Sequence, residues 1–117
     1  MNIEDLRNYC LSKPHATEDL PFGDETLVFK IGGKIFLLVG LDHLPIRFNV
    51  KCSPDRAADL RSEYPEHVLP GYHMNKTHWN TLVMDGLLPA SFLLEQIDHS
   101  YYLVLASLTA KVRAQLG

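Results

Sequence analysis

Thr26-Leu27-Val28-Phe29-Lys30-Ile31-Gly32-Gly33-Lys34-Ile35-Phe36-Leu37-Leu38-Val39-Gly40-Leu41 is the stretch from which the fold is read. Two runs rich in β-branched and aromatic residues flank a glycine pair, the pattern of a β-hairpin. The turn needs glycine because primed two-residue turns place φ above zero. The second run, Lys34–Leu41, is apolar on both alternations: Ile35, Leu37 and Val39 on one, Phe36 and Leu38 on the other. A strand covered on both sides belongs in the middle of a sheet. Pro45–Cys52 follows as a third strand. Ile46, Phe48, Val50 and Cys52 point one way, and Arg47, Asn49 and Lys51 the other.

Upstream of the hairpin, Asn2 caps a first helix whose Glu4 and Asp5 suit the positive first turn. Ile3, Leu6 and Cys10 form its apolar stripe, Lys13 fits the last turn and Pro14 ends it. Residues 15–25 are polar and irregular, with room for a short edge strand near Ala16–Leu20 before the turn Phe22-Gly23-Asp24. Downstream, Ser53 caps a second helix with Pro54 at its first position, lined inside by Ala57, Leu60 and Tyr64. Val68–Tyr72 and Trp79–Met84 read as two further strands, and Asp85-Gly86 turns the chain. Pro89 opens a helical region in which Leu93, Ile97, Tyr101, Val104, Leu108 and Val112 share a face; Asp98-His99-Ser100 is a place where a new helix can be capped and the run bent. The order α-βββ-α-ββ-α predicts a single α/β (α+β) domain over residues 1–117. It is a two-layer sandwich with a mainly antiparallel sheet of about five strands, helices on one face and the other face more open.

A chain of 117 residues with 46% hydrophobic content can bury a core without disulfides or metals. Cys10 and Cys52 have no CxxC spacing and read as small buried apolar residues in a reducing compartment. The acidic N-terminus lacks the apolar core of a signal peptide, and the longest apolar run, residues 35–41, is far shorter than the roughly 20 residues of a membrane span. A cytoplasmic protein is expected. The net charge of −3 argues against broad attraction to nucleic acid or anionic lipid, but the charge is uneven. Residues 1–25 hold two cations against six carboxylates, whereas residues 26–52 hold Lys30, Lys34, Arg47 and Lys51 against Asp42 alone.

Four blocks in register resemble the MmcQ/YjbR-like family of small bacterial proteins. The first runs from Leu20-Pro21-Phe22-Gly23-Asp24-Glu25 through Lys34; the second is Val50-Lys51-Cys52-Ser53-Pro54 with Leu60-Arg61. The third is Pro70 to Thr81 with Lys76, His78, Trp79 and Asn80, and the last is Ile97-Asp98-His99-Ser100-Tyr101 before Leu103-Val104. The resemblance implies a fold related to that of CyaY/frataxin and DNA binding by a two-winged variation on the winged helix. It implies no catalytic residue and no cofactor. Leu87–Leu94 departs from the family pattern, being more apolar than a polar helix start, and hints at a protein partner or self-association.

The candidate site is a basic sheet face. Arg47, Asn49 and Lys51 share an alternation; Lys30 joins them through the hairpin, and Trp79 and Thr81 from a later strand. Cations neutralise phosphate and an aromatic can stack on an unpaired base; the bland counterpart is a solvated face with a core tryptophan. The loop Tyr72–His78 would be one wing, placing Asn75, Lys76 and His78 on double-stranded DNA, and the Gly32-Gly33 hairpin with Lys30 and Lys34 the other. Asn75 and Lys76 equally suit an ordinary tight turn. His67, His73 and His78 match no metal-ligand spacing, and Glu18, Asp19, Asp24 and Glu25 read first as a solvated charge run. Adjacent helical residues cannot form a triad, so Asp98, His99 and Ser100 read as capping or packing groups. The expected function is a non-catalytic DNA-binding domain; a protein-interaction or oligomerisation module is the alternative, and a frataxin-like metal- or small-molecule-binding domain a further one.

Overall fold

Asn2 opens the first helix with a full capping box: its side chain accepts from Asp5 N at 2.8 Å while Asp5 accepts from Asn2 N at 3.1 Å. The structure is a computed structural model and describes residues 1–71 and 74–117. In chain order the elements are α1 (Ile3–Leu11), β1 (Thr17–Asp19), β2 (Thr26–Ile31), β3 (Lys34–Gly40), β4 (Ile46–Lys51), α2 (Pro54–Glu63), β5 (Val68–Pro70), β6 (Trp79–Met84), α3 (Ala90–Ser107) and α4 (Ala110–Leu116). The strands form one antiparallel sheet in the order β1-β2-β3-β4-β6-β5.

The glycine hairpin is as expected, with Gly32 and Gly33 at φ 58° and 81°. Gly32 is needed twice over, since a Cβ there would come within 2.7 Å of Leu108 Cδ1. β3 and β4 lie at the centre of the sheet, β3 because both of its alternations are apolar. One set of strand side chains, including Phe29, Leu37, Val39, Phe48, Val50 and Leu82, packs with Leu6 and Cys10 of α1 and Leu93, Ile97, Tyr101 and Val104 of α3 in a single core. Tyr101 meets Phe36 edge-to-face, ring centroids 5.4 Å apart. Burying each such side chain contributes about 1.5–3 kcal/mol, so this layer carries most of the stability.

The short edge strand expected near Ala16–Leu20 forms as Thr17–Asp19 paired with Val28–Lys30, which brings the sheet to six strands. Two expectations need correction. The helical region does not bend at Asp98-His99-Ser100; α3 runs unbroken from Ala90 to Ser107. A polar side chain ends a helix only when it competes for that helix's own backbone, and these three bond to other elements instead. The break falls at Leu108, extended at ψ 147°, after which Thr109 caps α4 by accepting from Val112 N at 3.2 Å. Finally, β5 is shorter than the expected Val68–Tyr72 and ends at Pro70; Tyr72 lies outside the described residues. Both margins of the sheet, β1 and β5, are therefore three residues long.

Candidate nucleic-acid interface

The second alternation of the strands faces away from the helices. Register fixes its membership: Arg47 opposes Val83, Asn49 opposes Thr81 and Lys51 opposes Trp79 across β4 and β6. On the other flank Leu38 opposes Asn49 and Val28, and Lys30 opposes Ile35. None of these residues belongs to the helix-covered core. Trp79 is half-buried on this face and is not the core tryptophan that the bland reading requires. Gly71 sits beside it with no side chain, and a Cβ there would lie 2.7 Å from Trp79 Cβ.

Arg47 is exposed and Lys51 half-buried, and neither side chain makes an ion pair or hydrogen bond among the described residues. Lys30 carries a loose pairing with Asp19, 3.7 Å away at the edge strand. Thr81 Oγ1 donates to Asn49 Oδ1 at 2.5 Å, a polar bridge in the middle of the face. Lys34 is placed differently: it pairs with Ile31, whose side chain is in the core, and its Nζ lies 3.5 Å from Ser107 O at the end of α3. The hairpin thus sends Lys30 and Lys34 to opposite sides.

Asn75, Lys76 and His78 are exposed in the loop leading into β6. Asn75 Oδ1 accepts from Thr77 N at 2.9 Å, which is the tight-turn role. Arg61 of α2 holds this loop. Its Nε donates to buried Asn80 Oδ1 at 2.6 Å, and Nη2 donates to Trp79 O at 3.1 Å and to Lys76 O. Arg61 therefore positions both Lys76 and Trp79, a role sequence reading missed. The only available signal was an arginine in the last turn of α2 directly before the strand-loop-strand segment.

Asp98, His99 and Ser100 tie four different elements, α1, α2, β3 and β4, to α3. Asp98 accepts from Tyr9 OH at 2.6 Å and pairs with Lys13, whose Nζ lies 4.7 Å from the Tyr9 ring centre. Burial opposes the charge on Lys13, but Asp98 and Tyr9 outweigh it and raise its pKa. His99 Nε2 accepts from Ser53 N at 3.2 Å at the start of α2, and burial, then Arg56, depress its pKa. Ser100 Oγ accepts from Lys51 N and donates to Phe36 O. Burial pushes the Cys10 thiol up to about 12 and raises that of Cys52, so neither is a ready thiolate.

His67 Nε2 lies 2.9 Å from Asp85 Oδ2, His78 stands in the loop, and His73 lies outside the described residues. Among the described residues no three His, Cys, Asp or Glu side chains are grouped to hold a metal. Glu18 forms a two-bond pair with Arg7, at 2.7 and 2.5 Å, and Asp19 turns to Lys30. Within Leu87–Leu94, Leu88 and Leu93 are core and Leu87 is exposed; Leu94 also lines a shallow groove of about 510 Å³ with Met1, Tyr9 and Ala90. No helix of the described residues is long and apolar enough to cross a membrane.

A sequence model of the YjbR family matches residues 11–103, a span that contains every residue of the open face. The chain belongs to the YjbR family. The YjbR protein of Escherichia coli K12 is 33% identical over 101 residues, covering 86% of this chain and 85% of its own. The YbdF protein of Escherichia coli O157:H7 is 36% identical over 109 residues, covering 92% and 88%. Among solved structures, a Deinococcus radiodurans protein superposes with a TM-score of 0.93 at 40% identity, covering 99% of this chain and 88% of that one. A Pseudomonas syringae protein gives 0.72 at 25% identity, covering 89% and 99%. These YjbR-family names carry no activity, so the comparisons speak to family and fold.

Proposed function

We propose that this is a non-catalytic, cytoplasmic DNA-binding domain whose contact surface is the helix-free sheet face. The observation that carries the reading is the register Arg47–Val83, Asn49–Thr81, Lys51–Trp79, which sets two cations without ion-pair partners among the described residues on the same face as a half-buried indole, Lys51 directly opposite it. Arg47, Lys51 and Lys30 supply the phosphate contacts, and Lys76, with Asn75 and His78 beside it, extends them from the loop that Arg61 holds. Lys34, on the other side of the hairpin, contributes at most to a duplex that wraps its edge. In a molecule of net charge −3, binding rests on this local cluster and falls steeply with salt. Kinship with the CyaY/frataxin fold belongs to the same proposal.

The test is fluorescence anisotropy with labelled DNA, as duplex and as its separate strands, at low and at moderate salt. Micromolar binding at low salt that weakens with salt is expected. Flat titrations with every probe overturn the reading. One observation favours a protein-interaction module instead, the exposed Leu87 three residues before Ala90, which lines the α1–α3 groove; a mass that grows with concentration in light scattering, lost on Leu87→Ser, marks that outcome.

A further inference from the structure

Each cation on the open face has an apolar residue directly across one neighbouring strand: Lys30 opposes Ile35 on β3 (and Thr17 on β1), Arg47 opposes Val83 and Lys51 opposes Trp79. Side chains directly opposed in an antiparallel pair stand about 4.5–5.5 Å apart at Cβ, so Lys30 with Ile35 and Lys51 with Trp79 each set a charge beside a partly exposed apolar side chain, while Val83 beneath Arg47 is buried. Leu38, half-buried between Val28 and Asn49, continues the dry surface through the middle row. Resting on the DNA-binding reading above, we propose that the ligand of this face is an unpaired nucleic-acid strand rather than a duplex.

The chemistry of the two ligands decides the choice. A duplex shows a protein its phosphates and its groove edges, while the faces of its bases are stacked away; Ile35, Leu38 and Trp79 would meet only sugar and phosphate. A single strand offers phosphate and an exposed base in every nucleotide, which is what a cation beside an apolar or aromatic side chain takes. Shape agrees. The major groove, about 12 Å wide, admits a helix or a two-stranded ribbon, and Arg47, Lys51 and Trp79 lie on inner strands of a six-stranded sheet with no helix projecting from that side. Lys51 and Arg47, four residues apart on one strand, are separated by about 13 Å, enough for a strand to run across the face from one phosphate contact to the next. Trp79 is the base platform, Lys51 its phosphate clamp, and the Asn49–Thr81 bridge lies between the two cations.

Intrinsic fluorescence reports the contact directly, because Trp79 is the only tryptophan. The probes are a labelled oligothymidine of about twenty nucleotides, longer than the roughly 4–16 nucleotides such surfaces occupy, and a duplex of equal length. The expected result is at least about tenfold tighter binding of oligothymidine, with quenching of the indole by the single strand and not by the duplex. Trp79→Ala is expected to weaken single-strand binding about tenfold and Trp79→Phe to restore most of it, while Lys51→Ala weakens both probes. Equal or tighter duplex binding, or single-strand binding without quenching, overturns this inference and leaves DNA binding standing. Silence with both probes removes both, and leaves the face to a protein partner.

Discussion

Lys51 of β4 is tied to Ser100 of α3 by a hydrogen bond from its amide to the serine hydroxyl, 2.8 Å long, and the same hydroxyl donates to Phe36 O at 2.5 Å. The β3–β4 ladder runs only from Val39–Phe48 to Leu37–Val50, and Phe36 is the residue left over where the register of β2 and β3 slips. Ser100 supplies the partners that the ladder lacks, so a helical side chain completes the sheet under a cation of the open face.

Ser100→Ala should therefore cost about 1–3 kcal/mol, since it strands a buried carbonyl and an amide together. Urea denaturation checks this. A loss below a few tenths of a kcal/mol would show that water or a shifted strand replaces the hydroxyl.

Acid should weaken the attachment of α2 through His99. Nε2 accepts from Ser53 N, so it must be unprotonated, and its pKa is depressed in the fold. The unfolded chain takes up the proton near pH 6.5 and the folded chain only at lower pH. More protons are then bound by the unfolded state, so stability rises with pH. The contribution is complete above about pH 6.5 and is lost as pH falls through the folded value. His99→Gln, which keeps an acceptor that does not titrate, should flatten the fall in urea midpoint between about pH 7.5 and 5.5 relative to the parent.

Gly71→Ala should disturb Trp79 directly. The added methyl would meet Trp79 Cβ at 2.7 Å and Trp79 O at 2.9 Å, and the backbone atoms cannot swing aside. The expected cost is about 1–3 kcal/mol, with a shifted emission maximum from the single tryptophan. Unchanged emission and stability would mean that β5 relaxes away from β6.

Gln96→Leu should be tolerated or stabilising. Gln96 is 2% exposed on the inner side of α3, and its Nε2 has no hydrogen-bond partner among the described residues. Removing an unsatisfied donor while keeping similar volume recovers up to about 1–3 kcal/mol of desolvation. Thermal melting tests it, and a clear drop in Tm would point to an ordered water serving that amide.

Arg47→Ala and Lys51→Ala should each lower the magnitude of the slope of log K against log salt by about 0.7–0.9, one phosphate contact apiece. Lys34→Ala should leave the slope for a single strand unchanged, because its side chain leaves the hairpin on the helix side.

The hairpin, the central place of β3 and the two alternations of β4 were all legible in sequence, because each depends on a pattern of period two within one strand. The opposition of Lys51 to Trp79 was not, since the register of β4 with β6 is set across 27 intervening residues, 52–78, by packing and by Arg61. Lys34 misleads for a related reason: the slip at Phe29/Lys30 changes which side each hairpin residue takes. Asp98-His99-Ser100 looked like a helix start because its residue types favour caps. Only the fold reveals that residues about 100° apart around a helix can each serve a different neighbour.

The two margins of the sheet bear on how anything can approach it. β1 offers three exposed residues, two of them carboxylates, and β5 finishes in a proline that has no amide hydrogen to give. Neither border can template another strand over any length. Lateral growth into oligomers or fibrils is discouraged, and visitors are left to read side chains rather than borrow main-chain pairing.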